Sequence, residues 1–106
     1  MQSDLHRFLG LMRRAGKLSM GEQGTGQAAR AGKAKLILLA SDASANAADR
    51  AESFAQRAGV PAVRLTATKA ELASALGVAG GAMGAVCDEG FAEALLEKFP
   101  DETERI

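Results

Sequence analysis

Apolar residues recur along this chain in two alternating rhythms. Leu5, Phe8, Leu9 and Met12 fall at i, i+3, i+4 and i+7 and predict a helix from about Asp4 to Ala15, with Ser3 placed to cap it. Lys17 to Met20 is a short segment leading into Gly21, and a second helix is expected from about Glu22 to Ala31. Lys35 to Ser41 is a near-continuous apolar run, the pattern of a strand covered on both faces. Ala47, Ala51, Phe54, Ala55 and Ala58 form a third stripe, on an Ala-rich helix whose small side chains permit close packing against a sheet. Ala62 to Leu65 reads as a short strand. Thr68 and Glu71 have capping-box spacing ahead of Leu72, Ala73 and Leu76, which signals a fourth helix. Ala82 to Cys87 is the last strand, and Asp88 caps a final helix carrying Phe91 and Leu95 that Pro100 stops.

The tripeptide Arg-Ala-Gly occurs at 14–16, 30–32 and 57–59, at unequal spacings that exclude a repeat period. Each copy closes a predicted helix, with Arg facing the negative end of the helix dipole and Gly taking the left-handed position beyond it. Alternating helix and strand signals argue for a layered α/β sandwich of about four strands flanked by helices.

Length and composition narrow the function. The 106 residues suit one domain, residues 1–106, in which folding buries roughly 60–65% of the chain's surface. The longest apolar run, Leu36 to Ala40, is far short of the roughly 20 residues that span a bilayer. Met1-Gln-Ser-Asp-Leu5 opens with an acid and lacks an apolar segment, so no signal peptide is read and a cytoplasmic protein is expected. A lone Cys87 forbids an internal disulfide, and with a single His6 it cannot assemble a structural zinc site. Without Tyr or Trp, and with four Phe also needed in the core, an aromatic platform for stacking single-stranded bases is not expected.

The net charge is zero, but the charges are segregated. Residues 1–35 carry Arg7, Arg13, Arg14, Lys17, Arg30, Lys33 and Lys35 against Asp4 and Glu22, a net of +5. The segment from Asp88 to Ile106 carries seven acids against Lys98 and Arg105. Such a distribution allows a basic face that attracts polyanions and an acidic face turned away from them, or reflects chance segregation in a small protein.

Candidate chemistry is sparse. Gly24-Thr-Gly-Gln-Ala-Ala29 matches G-x-G-x-x-A, but the preceding strand is too short for the first strand of a dinucleotide fold and no second mononucleotide-binding half follows. No Walker A string occurs. His6 reads as a solvated helix residue, Cys87 as a small buried hydrophobe, and Asp88 and Glu89 as charges suited to a helix N-terminus, so with Asp42 they make no convincing active site. No cofactor or metal is expected. The remaining feature is Lys17 to Gln27, where Gly21, Gly24 and Gly26 could expose backbone N–H groups at a helix N-terminus and Arg13, Arg14 and Lys17 could attract phosphate. The same glycines could equally serve only a strand-to-helix corner.

LGLMRRAGKLSMGEQ, RAGKAKLILLASDAS, GVPAVRL, TKAELASALG and AVCDEGFA, taken in order, resemble the ribosomal-protein family that binds kink-turn RNA, and within it the small bacterial YlxQ-type members. The resemblance runs from about Leu5 to Leu95. It implies a three-layer α-β-α sandwich with a mixed sheet of about four strands, and binding to a sharply bent RNA internal loop with tandem sheared G·A pairs. In that family the first turn of the second helix reads guanine edges and the loop before the last strand covers a flipped nucleotide. Carried onto this chain, the contacts implied are Lys17, Gly21, Glu22, Gln23, Gly24, Gln27 and Lys35, with Val78, Ala79 and Gly80 in the apolar covering loop Val78 to Met83. Gln23 stands where archaeal and eukaryotic members usually have a base-reading Asn, Gly24 where they often have Glu or Gln, and Gln27 where they have Lys.

The resemblance thus implies a non-catalytic, ribosome-associated RNA-binding protein, monomeric, with structured RNA and not DNA or membrane as its partner. The alternative is a protein-interaction module on the same fold, motivated by the replaced reading residues and by the Ala-rich exposed character expected of the third helix. A nucleotide-binding domain built on residues 24–29 is the third reading.

Overall fold

The computed structural model describes residues 3–106. Met1 and Gln2, which begin the segment read as lacking a signal peptide, lie outside the described residues. Ser3 caps the first helix, α1 (Asp4–Arg14), its hydroxyl accepting the His6 N–H at 3.2 Å. The chain continues as β1 (Leu18–Met20), α2 (Gly21–Arg30), β2 (Leu36–Leu39), α3 (Ala45–Ala58), β3 (Ala62–Leu65), α4 (Lys69–Leu76), β4 (Met83–Val86) and α5 (Glu89–Lys98). A short 3₁₀ turn, Pro100–Glu102, then leads into β5 (Thr103–Arg105). The glycines of all three Arg-Ala-Gly copies adopt the left-handed conformation, with φ of 74°, 71° and 69°, which ends each helix without a Cβ clash.

The sheet order is β1-β4-β2-β3-β5. Only β2 and β3 are parallel, and the β1–β4, β2–β4 and β3–β5 pairs are antiparallel. The sheet is therefore mixed, but it has five strands and not the four expected. The missed strand is a three-residue edge strand, Thr-Glu-Arg, with no apolar alternation to signal it. Charge on an edge is one way natural sheets avoid pairing with a second molecule.

Alternate residues of each central strand face opposite cores. Leu36 and Leu38 pack with Leu5, Leu9 and Met12 of α1, Leu72 and Leu76 of α4, and Leu95 of α5. Ile37 and Leu39 pack on the other side with Ala28 of α2 and Ala51 and Ala55 of α3. The result is a three-layer α-β-α sandwich with a Leu-rich core on one face and an Ala-rich core on the other. Small residues let α2 and α3 approach each other closely: a Cβ on Gly26 would lie 3.0 Å from Phe54 Cζ. Of the α3 alanines only Ala45 is exposed, so the exposed Ala-rich helix face invoked for a protein-interaction module does not form. All four Phe are half-buried. Phe8 contacts Phe91 and Phe99, with ring centroids 5.9 and 5.7 Å apart, and helices cover both faces of the sheet, leaving no aromatic platform for bases. No helix among the described residues is long and apolar enough to cross a membrane.

The α4 capping box forms as the spacing predicts. The Glu71 N–H donates to the Thr68 hydroxyl at 3.1 Å, and the Glu71 carboxylate accepts the Thr68 N–H at 2.9 Å. The Thr68 N–H first, and the Thr68 hydroxyl after it, hold the Glu71 carboxyl below the usual glutamate range, with a smaller contribution from His6. Because folding lowers this pKa, the cap's contribution is in place above the ordinary glutamate value and is lost as pH falls through the lowered one. Thermal unfolding of wild type should lose more stability than Glu71→Gln between about pH 5 and 3, and parallel losses would remove the carboxylate from the cap. The loop after α4 is equally constrained: a Cβ on Gly81 would lie 2.5 Å from the Lys69 carbonyl oxygen, whereas one on Gly80 meets nothing within 4 Å. Urea unfolding should show Gly81→Ala destabilised by about 1–3 kcal/mol and Gly80→Ala changed by no more than about 0.5 kcal/mol.

Candidate nucleic-acid interface

β1 is an edge strand whose whole length pairs with β4, Leu18 opposite Val86 and Met20 opposite Gly84. Gly84 is closely approached: a Cβ there would lie 2.6 Å from Met20 Sδ, which would have to move aside, and 3.1 Å from the Ser19 carbonyl oxygen. This pairing puts the end of β1, and the α2 helix that follows at once, beside the start of β4 and the loop that precedes it. β2 and β3 also finish at this end, since Leu39 pairs with both Met83 and Arg64. The loops β2–α3, β3–α4 and α4–β4 therefore open at the same end of the sheet as the first turn of α2.

Gly21 makes the corner with φ of +89°, a conformation in which a side chain would be strained even though nothing lies within 4 Å of a Cβ built there. Met20, the residue before the helix, offers no side-chain cap, whereas Ser3, Ser44, Thr68 and Asp88 each cap the other four described α-helices with a side-chain oxygen. The leading N–H groups of α2 therefore have no side-chain acceptor from the capping position, and the helix dipole gives this end partial positive charge. Gln23 is exposed on this turn, and Glu22 pairs with Arg50 of α3 at 2.7 Å. At an exposed position such a pair is worth about 0–1 kcal/mol, so it is readily exchanged for another partner.

The neighbouring loops are braced. The Asp42 carboxylate accepts the Lys69 N–H at 2.8 Å, and the Arg64 guanidinium donates to the Ala40 and Ser41 carbonyls at 3.3 and 3.1 Å. Val78 is half-buried against the Leu-rich core, while Ala79 and Gly80 are exposed. A small apolar tip thus stands on a packed base, next to free amide donors. Arrangements of this kind suit contact with a base face on one side and base edges or phosphate on the other.

The residues singled out from sequence fall into two groups. Gly21, Glu22 and Gln23 are brought together with Val78, Ala79 and Gly80 at one end of the sheet. Gly24 and Gln27 lie further along α2 and line a groove of about 300 Å³ with Ser19, Ala28, Lys33 and Cys87. Gly24 and Gly26 are within the helix and not at its N-terminus, so they add no free loop amides. For the same reason residues 24–29 form no dinucleotide loop, and the strand before them is an antiparallel edge strand.

Lys17 and Lys35 lie at the opposite end, where the Lys17 carbonyl accepts the Cys87 N–H at 2.8 Å and the Lys35 N–H donates to the Val86 carbonyl at 2.7 Å. A three-residue strand, about 10 Å long, separates Lys17 from Gly21.

The other candidates have structural settings. Asp88 caps α5 by accepting the Phe91 N–H at 2.9 Å. Cys87 is half-buried, not fully buried, with Sγ 3.8 Å from the Ala85 carbonyl oxygen, and His6 is half-buried. Sequence reasoning missed Arg50, Arg64 and Asp42 as organisers of this end, because each acts on a residue more than 20 positions away.

Comparison with known proteins agrees with this architecture. A solved structure described as a protein with unknown function from Bacillus halodurans superposes with a TM-score of 0.80 at 26% identity, covering 95% of this chain and 100% of that one. No curated protein matches the chain. The family described as the ribosomal protein L7Ae/L30e/S12e/Gadd45 family matches residues 3–96, nearly the whole of the sandwich. The chain belongs to that family of ribosomal, RNA-binding proteins.

Proposed function

We propose that this protein binds a kink-turn or similarly bent internal-loop RNA through the first turn of α2 and the Val78–Gly80 loop, and that it acts in a ribosomal context without catalysing a reaction. The observation that carries this reading is the side-chain-uncapped start of α2 set beside an apolar loop tip on a braced scaffold. A bent internal loop exposes guanine edges and an unstacked nucleotide at the same place. The free N–H groups and the Gln23 amide suit the edges, and Val78 and Ala79 suit the unstacked base. Gln23 is long enough to offer both an amide donor and an acceptor, so it can take the part that Asn plays elsewhere in the family.

Affinity on this surface is expected to be modest. Gly24 has no side chain to read a base, Gln27 carries no charge, and Glu22 places a carboxylate where phosphate would approach. Arg50 offsets that carboxylate and is close enough to turn to a phosphate instead.

Gln23→Ala should lower the preference for an intact kink-turn over one lacking its tandem G·A pairs by about 1–3 kcal/mol, roughly fivefold to a hundredfold, while the melting temperature stays unchanged because the side chain is exposed. A fluorescence titration of both RNAs measures this. An unchanged ratio would exclude Gln23 as a reader.

A further inference from the structure

Six of the seven basic residues of the first third of the chain do not surround the α2 N-terminus; they gather at the opposite end of the molecule, and the seventh, Arg7, pairs with Asp4. Arg13 and Arg14 end α1, Arg30 ends α2, and Lys17, Lys33 and Lys35 follow those helix ends into β1 and β2. All six are exposed, and none takes part in either ion pair of the described residues, Arg7–Asp4 and Arg50–Glu22. The strand registers focus three of them on one place: the backbones of Lys17 and Lys35 flank the end of β4 at Cys87 and Val86, and Lys33 lines a groove with Cys87 and Gly16.

Asp88 and Glu89 are the nearest acids in sequence, but they open α5, which packs on the face of the sheet away from α2. The acidic residues of Thr103–Arg105 and the turn before it lie at the sheet edge remote from β1. Asp88 and Glu89 follow Cys87 directly and so begin at this same end, on the α5 side of the sheet, while Lys33 lies on the α2 side.

We propose that this end is a second RNA contact, which holds the phosphate backbone of a helical stem adjoining the RNA read at the α2 N-terminus. The proposal deepens the RNA-binding reading and rests on it. Its particular support is the groove of about 300 Å³ along α2, lined by Gly24 and Ser19, one helical turn beyond Gly21, and by Lys33 and Gly16. A ten-residue helix is about 15 Å long, so one RNA stem can span both ends. Six free cations, with only the half-buried Phe54 ring near one of them, Arg30, fit sequence-independent backbone contact, not base reading.

The test compares wild type, Gln23→Ala and a triple variant, Lys17→Ser with Lys33→Ser and Lys35→Ser, all first shown to melt alike. Each is titrated with a kink-turn RNA bearing long stems, the same RNA with truncated stems, and a plain RNA duplex, over a range of salt. The triple variant should reduce the slope of log affinity against log salt by about one for each lysine in contact, and it should lose the gain that long stems give. Its ratio for intact over G·A-deficient kink-turn should stay that of wild type, whereas Gln23→Ala should change the ratio and keep the slope. An unchanged salt slope and unchanged stem dependence in the triple variant would overturn the second contact. Binding of wild type to vesicles of anionic lipid but not to duplex would overturn it as well. If wild type shows no kink-turn preference yet the triple variant still loses duplex affinity and slope, the second contact stands and the kink-turn reading falls.

Discussion

The antiparallel pairing of β1 with β4 is the constraint on which the candidate interface depends. Only three residue pairs make it, and at its end Met20 takes the space above Gly84 that any side chain would fill. That close approach fixes where the chain turns at Gly21, and so where the α2 helix begins relative to the loop that enters β4. Without it, the free amides of α2 and the Val78–Gly80 tip would be parts of two unrelated surface features.

The two faces of the sheet divide the labour. On one, Leu5, Leu9, Met12, Leu72 and Leu95 make a deep core of large side chains, and deleting any one of them carries a typical cost of about 2–5 kcal/mol. On the other, alanines and Gly26 trade bulk for closeness, bringing α3 near enough for Arg50 to reach Glu22 at the start of α2. The candidate interface thus straddles the end of the sheet, with α2 from the Ala-rich layer on one side and the Val78–Gly80 tip seated on the Leu-rich layer on the other. Arg64 and Asp42 spend their hydrogen-bonding capacity on backbone groups of the surrounding loops. A surface that meets a rigid bent RNA gains from such pre-organisation, because less conformational entropy is lost on binding.

Much of this was legible in the sequence where a local rule suffices. The Thr68–Glu71 box, the Ser3 and Asp88 caps and the three Arg-Ala-Gly terminations each depend on residues within four positions, and each forms as expected. β5 was not legible, because an edge strand of Thr, Glu and Arg needs only a partner strand and leaves no apolar pattern. The glycines of α2 were read together as a possible open loop, yet only Gly21 bends the chain, while Gly26 exists for the Phe54 ring on another helix. The charge excess of residues 1–35 was visible, but not its position. Lys17 lies four residues from Gly21 in sequence and a full strand away in space, and only the register against β4 reveals that the cations and the reading turn sit at opposite ends.

Amide chemical-shift mapping of ¹⁵N-labelled protein with a kink-turn RNA tests the central claim most directly. The account predicts that the largest changes fall on Gly21 to Gly24 and on Val78 to Gly81, two stretches far apart in sequence that β1–β4 pairing brings together. Changes confined to α5 and β5, or an RNA that perturbs one of these stretches without the other, would contradict it.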